Sequence, residues 1–456
     1  MNYYPIFKRS IFITGLLLGF TNFLSAQFSS GNVIDNTATG ITEITSADLN
    51  GDNQKDIIVS QKFLVNNKIS YYLNTGNGTF GTQQTAVAGI NWAISVAAGD
   101  LNGDGNNDLV YISQFDNYLG WVENTGSGFS ANQTIAPLYF GMKVKVADID
   151  NDLDNDVIAI GDTALMVFEN DATGNFTSHH VPQGTNTEYY DLFLSDLNND
   201  GFKDIVVGGI STLVYMNDNG LFSFDTLRSN SITNSGLVFL VALDDLNQDN
   251  SPDLVICGNS SSDLRWYSND GNGFFSLQEI FESSATQLNS MDTHDLDNDG
   301  DNDLVTAHHQ TGQVVWYSND GTSNFSAAEL IHQGNIAQAS QVHLSQLNAD
   351  SCTDLVWSQE LTVHLNETCN LNTQTRSPEQ NINVTYFQNQ SMLQIVCDEN
   401  ADLKIYSLDG KLIFQQSNLS EGVNQIQVTH LPSFFVVNVE IGNSSYVQRF
   451  SDASFR

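Results

Sequence analysis

Short apolar runs alternate with Asp- and Asn-rich turns along most of the chain. Seven of these runs are alike: DIIVS, DLVYIS, DVIAIG, DIVVGG, DLVICG, DLVTAH and DLVWS. Each is short, continuous and rich in β-branched residues, which predicts a strand buried on both faces rather than a helix. A half-apolar segment such as Ile94 to Gly99 precedes each run. A further strand follows and ends on an Asn in every copy: Asn74, Asn124, Asn170, Asn217, Asn269, Asn319 and Asn366. In six copies a Gly-containing turn and a Phe come next, as in NTGNGTF at 74–80, and then a fourth strand.

One nine-residue pattern stands before each apolar run. It reads DLNGDNQKD at 48–56, DLNGDGNND at 100–108, DIDNDLDND at 148–156 and DLNNDGFKD at 196–204. It continues as DLNQDNSPD at 245–253, DLDNDGDND at 295–303 and QLNADSCTD at 346–354. First positions lie 52, 48, 48, 49, 50 and 51 residues apart, so each repeat is long enough for one small sheet. Four strands per unit and seven units predict an all-β chain built as a seven-bladed β-propeller. The seventh unit lacks its Phe and fourth strand, whereas Gln27-Phe28-Ser-Ser resembles the start of a fourth strand. Residues 28–34 are therefore expected to supply the missing outer strand, which closes the ring and removes open sheet edges. Trp121, Trp266 and Trp316 share one column three residues before the repeating Asn, where inter-blade packing is expected ahead of sugar stacking.

Composition narrows the possibilities. The chain has 456 residues, with 53 acidic against 15 basic side chains and a formal charge of −38. Such a balance argues against nucleic-acid binding and against a polybasic membrane surface. Residues 1–26 read as a signal peptide: Lys8 and Arg9, then an apolar run from Ile11 to Leu24, then Ser25-Ala26. No later segment is apolar enough to cross a membrane as a helix. Four Cys at 257, 352, 369 and 397 suit an exported protein without a disulfide framework. Cys352 and Cys369 fall on one rim of the last blade, where a disulfide and two free thiols are both open readings.

The acidic loops are candidate metal sites. Hard oxygen side chains at positions 1, 3, 5 and 9 suit Ca²⁺, which takes six to eight oxygens. The expected ligands are Asp48, Asn50, Asp52 and Asp56; Asp100, Asn102, Asp104 and Asp108; Asp148, Asp150, Asp152 and Asp156; and Asp196, Asn198, Asp200 and Asp204. Asp245, Asn247, Asp249 and Asp253 follow, then Asp295, Asp297, Asp299 and Asp303, and last Asn348, Asp350 and Asp354. A carbonyl at position 7 is expected to add one more oxygen. Three carboxylates ~5 Å apart repel by ~3 kcal/mol per pair at an effective dielectric near 20, which favours six or seven bound cations over bare Asx-turns. Position 6 calls for Gly or Asn, so Leu153 and Ser351 do not fit there. The seventh loop begins with Gln346, keeps only two carboxylates at these positions and is expected to be the weakest site.

In its loop, flanks and copy number the stretch 28–366 resembles the FG-GAP/VCBS repeat family, as in integrin-α-like propellers. The resemblance implies Ca²⁺ in the loops of one rim. Residues 27–370 are taken as the propeller and 371–380 as a linker. Residues 381–456, with strands such as ADLKIYSLDGKLIFQQS at 401–417, resemble the C-terminal sorting domain of the type IX secretion system of Bacteroidetes. That resemblance implies a small Ig-like β-sandwich, handling by the type IX machinery and export to the outer surface. Ser433-Phe434-Phe435 and the ending RFSDASFR depart from it, and a carbohydrate-binding or adhesive Ig-like module is the alternative.

The repeats account for most of the chain without catalysis. The leading expectation is a secreted or cell-surface Ca²⁺-binding module, not an enzyme, that adheres to glycans or proteins. Ligand-binding candidates on the rim opposite the loops are Trp92, Tyr139, Phe140, Tyr189 and Tyr190, with Phe115, Asp116 and Tyr118 nearby. The alternative is a polysaccharide lyase or hydrolase on a propeller scaffold, for which His179-His180, Glu188, His294 and His308-His309 are available. Their spacing marks no catalytic set, and no GxSxG, HExxH or phosphate-binding Gly loop is present.

Overall fold

The computed structural model describes residues 28–366, apart from 30, 63–66, 162–163, 182–187, 233–237, 259–262, 283–287, 322–323, 335–340, 351 and 359, together with strands between 383 and 451. Seven antiparallel four-stranded sheets follow one another in the chain and form a seven-bladed β-propeller. The second blade is representative. Its inner strand Ala93–Gly99 pairs with Asp108–Ser113, then come Tyr118–Val122 and the outer strand Gln133–Pro137. The apolar run in second position is buried at every residue in blades one, two, three, four, six and seven, as its lack of alternation requires. The outer strand is half exposed and polar.

In the seventh sheet the outer position is taken by Asn32–Val33, with Asn32 opposite Val363 and Val33 opposite Thr362. Phe28 bridges Asn366, and the Ser29 amide donates to Leu365 O at 2.8 Å. Blade-to-blade cores are built from the aromatic column. Tyr71 meets Phe129, Trp121 meets Phe176 and Trp266 meets Phe325, each pair edge to face across a blade boundary. Cys352 is disulfide-bonded, while Cys257 is a buried free thiol. Cys369, the signal segment, Ser351 and the linker lie outside the described residues.

Beyond the ring, a three-stranded sheet (Asn383–Phe387, Met392–Cys397, Gly422–Gln427) and a four-stranded sheet (Ala401–Ser407, Leu412–Leu419, Phe434–Ile441, Ser444–Ser451) share one apolar cluster that includes Leu393, Ile395, Leu403, Ile405 and Val437. Among the described residues no helix is long and apolar enough to cross a membrane.

Candidate metal loops and the opposite rim

Each acidic loop joins an inner strand to the buried second strand, so all seven open on one rim. The carboxylate at position 1 gathers the loop around itself. Asp48 Oδ1 accepts from the amides of Gly51 and Asp52, and Oδ2 from Asn53. Asp100, Asp196 and Asp245 do the same for Gly105, Gly201 and Asn250. Reaching that carboxylate forces position 6 into the left-handed region. Gly105 has φ 86°, Gly201 92° and Asn53 65°. Leu153, unsuited to this by its side chain, adopts it all the same at φ 80°, with its side chain 93% exposed. The loop geometry outweighs the residue's preference.

Position 9 has a second duty that spacing alone did not reveal. Asp56, Asp108, Asp156, Asp204, Asp253, Asp303 and Asp354 are all fully buried. In each, one oxygen accepts the amide of loop position 2 and the other accepts the amide of the repeating Asn, as in Leu49 at 2.8 Å and Asn74 at 2.7 Å on Asp56. The Asn then reaches across the blade boundary. Asn124 Nδ2 donates to Leu49 O of the first blade at 2.8 Å and to Asn107 O of its own loop at 3.1 Å. The same cross-blade bond joins Asn170 to Leu101, Asn217 to Ile149, Asn269 to Leu197, Asn319 to Leu246 and Asn366 to Leu296. Asn74 bonds Leu347 of the seventh blade and completes the circle. The signal for this clasp was the constancy of the Asn in all seven repeats.

The loops differ in how far their charge is compensated. Where position 3 is Asn, its amide can donate to position 5, as Asn50 does to Asp52 and Asn198 to Asp200. Loops three and six instead carry Asp at positions 1, 3, 5, 7 and 9. In these two, carboxylate oxygens of Asp148, Asp150 and Asp156, and of Asp295, Asp297 and Asp303, lie within 4.8 Å of one another. Asp297 is 1% exposed and neither of its oxygens has a hydrogen-bond donor. Burial, together with Asp303 and Asp299, pushes its pKa up to about 8. An unpaired buried carboxylate among like charges is the environment a hard cation relieves, so the donor set fits a divalent ion held by oxygen. Burial likewise raises Asp303 and Asp253 to about 7, and Asp56, Asp108, Asp156, Asp204 and Asp354 to about 6, against the pull of two backbone amides. In the seventh loop Asn348 and Asp350 accept the amides of positions 5 and 7 as their counterparts elsewhere do, and Gln346 replaces the carboxylate at position 1.

The central channel is lined by inner strands, whose free edges carry unpaired amides. Side chains of the preceding blade satisfy them. Glu43 accepts from Val96 N at 3.1 Å, Asp191 from Val241 N at 3.0 Å and Asp292 from Leu344 N at 2.9 Å. Lys143 pairs with Glu43 at 2.8 Å and approaches Asp191 at 3.9 Å, while the Lys145 ammonium sits 5.3 Å from the Phe193 ring. Ser46 Oγ lies 2.9 Å from His343 Nε2, and His343 Nδ1 lies 3.7 Å from Asp292. The order is that of a hydrolase relay, but 3.7 Å exceeds hydrogen-bond reach and Ser46 also bonds Ser345. Of the other histidines, His179 on an outer strand bonds Glu169, His308 bonds Thr306 on a second strand and His294 bonds Thr353, while His332 and His364 meet ring to ring at 4.9 Å beside Trp357 in the last two blades.

On the opposite rim Tyr139 is 72%, Phe140 54% and Phe115 50% exposed. Trp92 stacks on Phe115 with centroids 4.1 Å apart, and the Lys62 ammonium lies 5.3 Å from the Trp92 ring. Asp116 ties this loop down through Asn91 and Ser113. Tyr189 is a correction to the expected ligand set: it is 1% exposed and its hydroxyl lies 3.0 Å from that of Tyr215 of the same blade, in the core packed against blade three. A β-bulge between Tyr189 and Asp191 shifts the alternation, so Tyr190 alone turns to the channel mouth. There it packs on Phe239, which the spacing did not single out.

Five stretches, 48–111, 100–159, 148–207, 245–306 and 295–357, match the family model for the FG-GAP-like repeat and together span more than half of the chain. No curated protein is significantly similar to the chain. The fold is similar to that of an Agrocybe aegerita lectin described for specific recognition of non-reducing terminal N-acetylglucosamine, at TM-score 0.51, 18% identity, 71% of this chain and 84% of that one. It is also similar to BBS1N in complex with ARL6DN, at TM-score 0.52, 9% identity, 75% of this chain and 96% of that one. At these identities the likeness is one of fold alone.

Proposed function

The chain belongs to the family of FG-GAP-like repeat proteins, and from that premise we propose that it is a secreted or cell-surface propeller that holds Ca²⁺ on one rim and binds glycans or proteins with the other. The observation that carries this reading is the separation of the two rims. One repeats the position 9 carboxylate and its Asn clasp seven times, and the other varies from blade to blade and exposes Tyr139, Phe140 and Phe115. Exposed aromatics held on tied loops are the usual anchors of recognition surfaces. The fold neighbours include a lectin and a protein solved with its partner, in keeping with a recognition scaffold.

Several further elements belong to the same proposal. Residues 1–26 direct export, and the mature N-terminus closes the ring through the pairing of Asn32–Val33 with the seventh blade. Asp297 and its neighbours in loop six, and Asp148, Asp150 and Asp156 in loop three, hold Ca²⁺, with the remaining loops as further sites. The two C-terminal sheets form an Ig-like sandwich that the type IX machinery reads. A glycan array and a panel of matrix proteins, probed with and without EGTA, test this function. Ca²⁺-dependent capture of a defined glycan or matrix protein is expected. Turnover of a glycan without stable capture would reject the binding module in favour of an enzyme.

A further inference from the structure

We propose that the channel mouth is a subsite for the terminal ring of a neutral glycan, seated against Tyr190 and Phe239. This deepens the binding-module reading and rests on it. The inner strands lose register at the same step in five blades: between 41 and 43, 93 and 95, 189 and 191, 238 and 240, and 288 and 290. A bulge re-aims the extra side chain. The residues so displaced are Thr42, Ile94, Tyr190, Phe239 and Asn289, and with Met142 at the equivalent place they line a cavity of about 480 Å³ on the rim away from the acidic loops. That volume falls in the range of small-ligand pockets, ~300–1,000 Å³. A folded protein partner would instead need a face of ~800 Å².

The lining selects the chemistry. Tyr190 and Phe239 form a tilted pair with centroids 4.6 Å apart, and the Tyr190 hydroxyl is held on Glu188 at 2.6 Å. Leu240 and Leu288 extend the apolar wall, the Thr42 hydroxyl is spent on Ala93 O at 2.6 Å, and Asn289 and Gln341 offer polar groups. A sugar ring has this same duality, with a C–H face for an aromatic and hydroxyls at its edge. At the floor of the mouth the cation is Lys143, already paired with Glu43 and flanked by Asp191, which disfavours an acidic sugar there. The protein's formal charge of −38 adds to that exclusion. Longer glycans have a path outward, since Phe140 stands two residues before Met142 and Trp92 two before Ile94.

Titration calorimetry of the full chain with neutral hexaoses (cello-, xylo-, manno- and chitohexaose) and with oligogalacturonate and oligoalginate tests the assignment. At least one neutral hexaose should bind, and the acidic oligomers should bind more weakly or not at all. Phe239→Ala and Tyr190→Ala should each weaken that binding about tenfold or more, and Phe239→Leu, which keeps an apolar wall without the ring, should weaken it as well. Phe140→Ala should weaken the hexaose about threefold and leave the matching disaccharide unaffected. Neutral-glycan binding that survives all three mouth substitutions would overturn the mouth while leaving the binding module standing. Tighter binding of the acidic oligomers would overturn the neutral class. Failure of every hexaose to bind would overturn the inference, and capture of a matrix protein in the same preparation would show that the wider reading survives it.

Discussion

The two rims of this propeller are built from the same repeat, yet they follow opposite rules. On the acidic rim, positions recur because each serves its neighbour: the buried Asp at loop position 9 orients an Asn, and that Asn holds the preceding blade. On the opposite rim, equivalent places carry Thr42, Ile94, Met142, Tyr190, Phe239 and Asn289, with no recurring bond to preserve. The lesson is that in a ring of repeats constancy marks construction, and variation marks the surface left over for recognition.

The sharpest way to break the comparison is to remove one clasp. Asn124→Ala deletes two side-chain bonds to buried carbonyls and should cost about 2–4 kcal/mol in denaturant unfolding. A loss below about 0.5 kcal/mol would show that constancy there is not structural. The next effect changes sign with the metal. Asp297→Asn removes a buried carboxyl that the metal-free fold must either protonate or hold unpaired, so in EDTA it should raise stability by about 1–2 kcal/mol. In millimolar Ca²⁺ the same change removes a ligand and should lower stability, and thermal melts of both proteins in both buffers read the crossing.

Acidity separates the same two states. The position 9 carboxyls keep their protons up to about 6 in the fold, and to about 7 at Asp253 and Asp303, whereas in the unfolded chain they release them near 4. The metal-free fold is therefore penalised above about pH 6 and gains stability as pH falls from about 6 toward 4. Protons compete with the cation for the same oxygens, so the melting-temperature gap between Ca²⁺ and EDTA should narrow from pH 7.5 to pH 5. A smaller change refines the geometry of the acidic rim. Leu153→Gly should stabilise by up to ~1 kcal/mol, because a 93% exposed side chain is lost and φ 80° becomes unstrained. The smallest effect lies opposite, where Tyr139→Ala should move stability by less than ~0.5 kcal/mol.

The blades and acidic loops were legible because they rest on short-range spacing that returns about every 50 residues. The inequality of the loops was partly legible: five alternating Asp residues in loops three and six are visible, but the loss of every donor around Asp297 is not. The Asn column could be seen, while its partner across the blade boundary could not, since 75 residues separate Asn124 from Leu49. Glu43 and Asp191 were silent for the same reason: the amides they satisfy belong to the next blade. Tyr189 was misplaced because an extra residue at Tyr190 inverts the alternation on which strand faces are assigned.

The most direct test of the acidic rim is a calorimetric melt of the whole chain in EDTA and then in millimolar CaCl₂. The clasps predict a cooperative transition in both buffers, and the uncompensated carboxylates of loops three and six predict one several degrees higher with Ca²⁺. The same melting temperature in the two buffers would contradict the account.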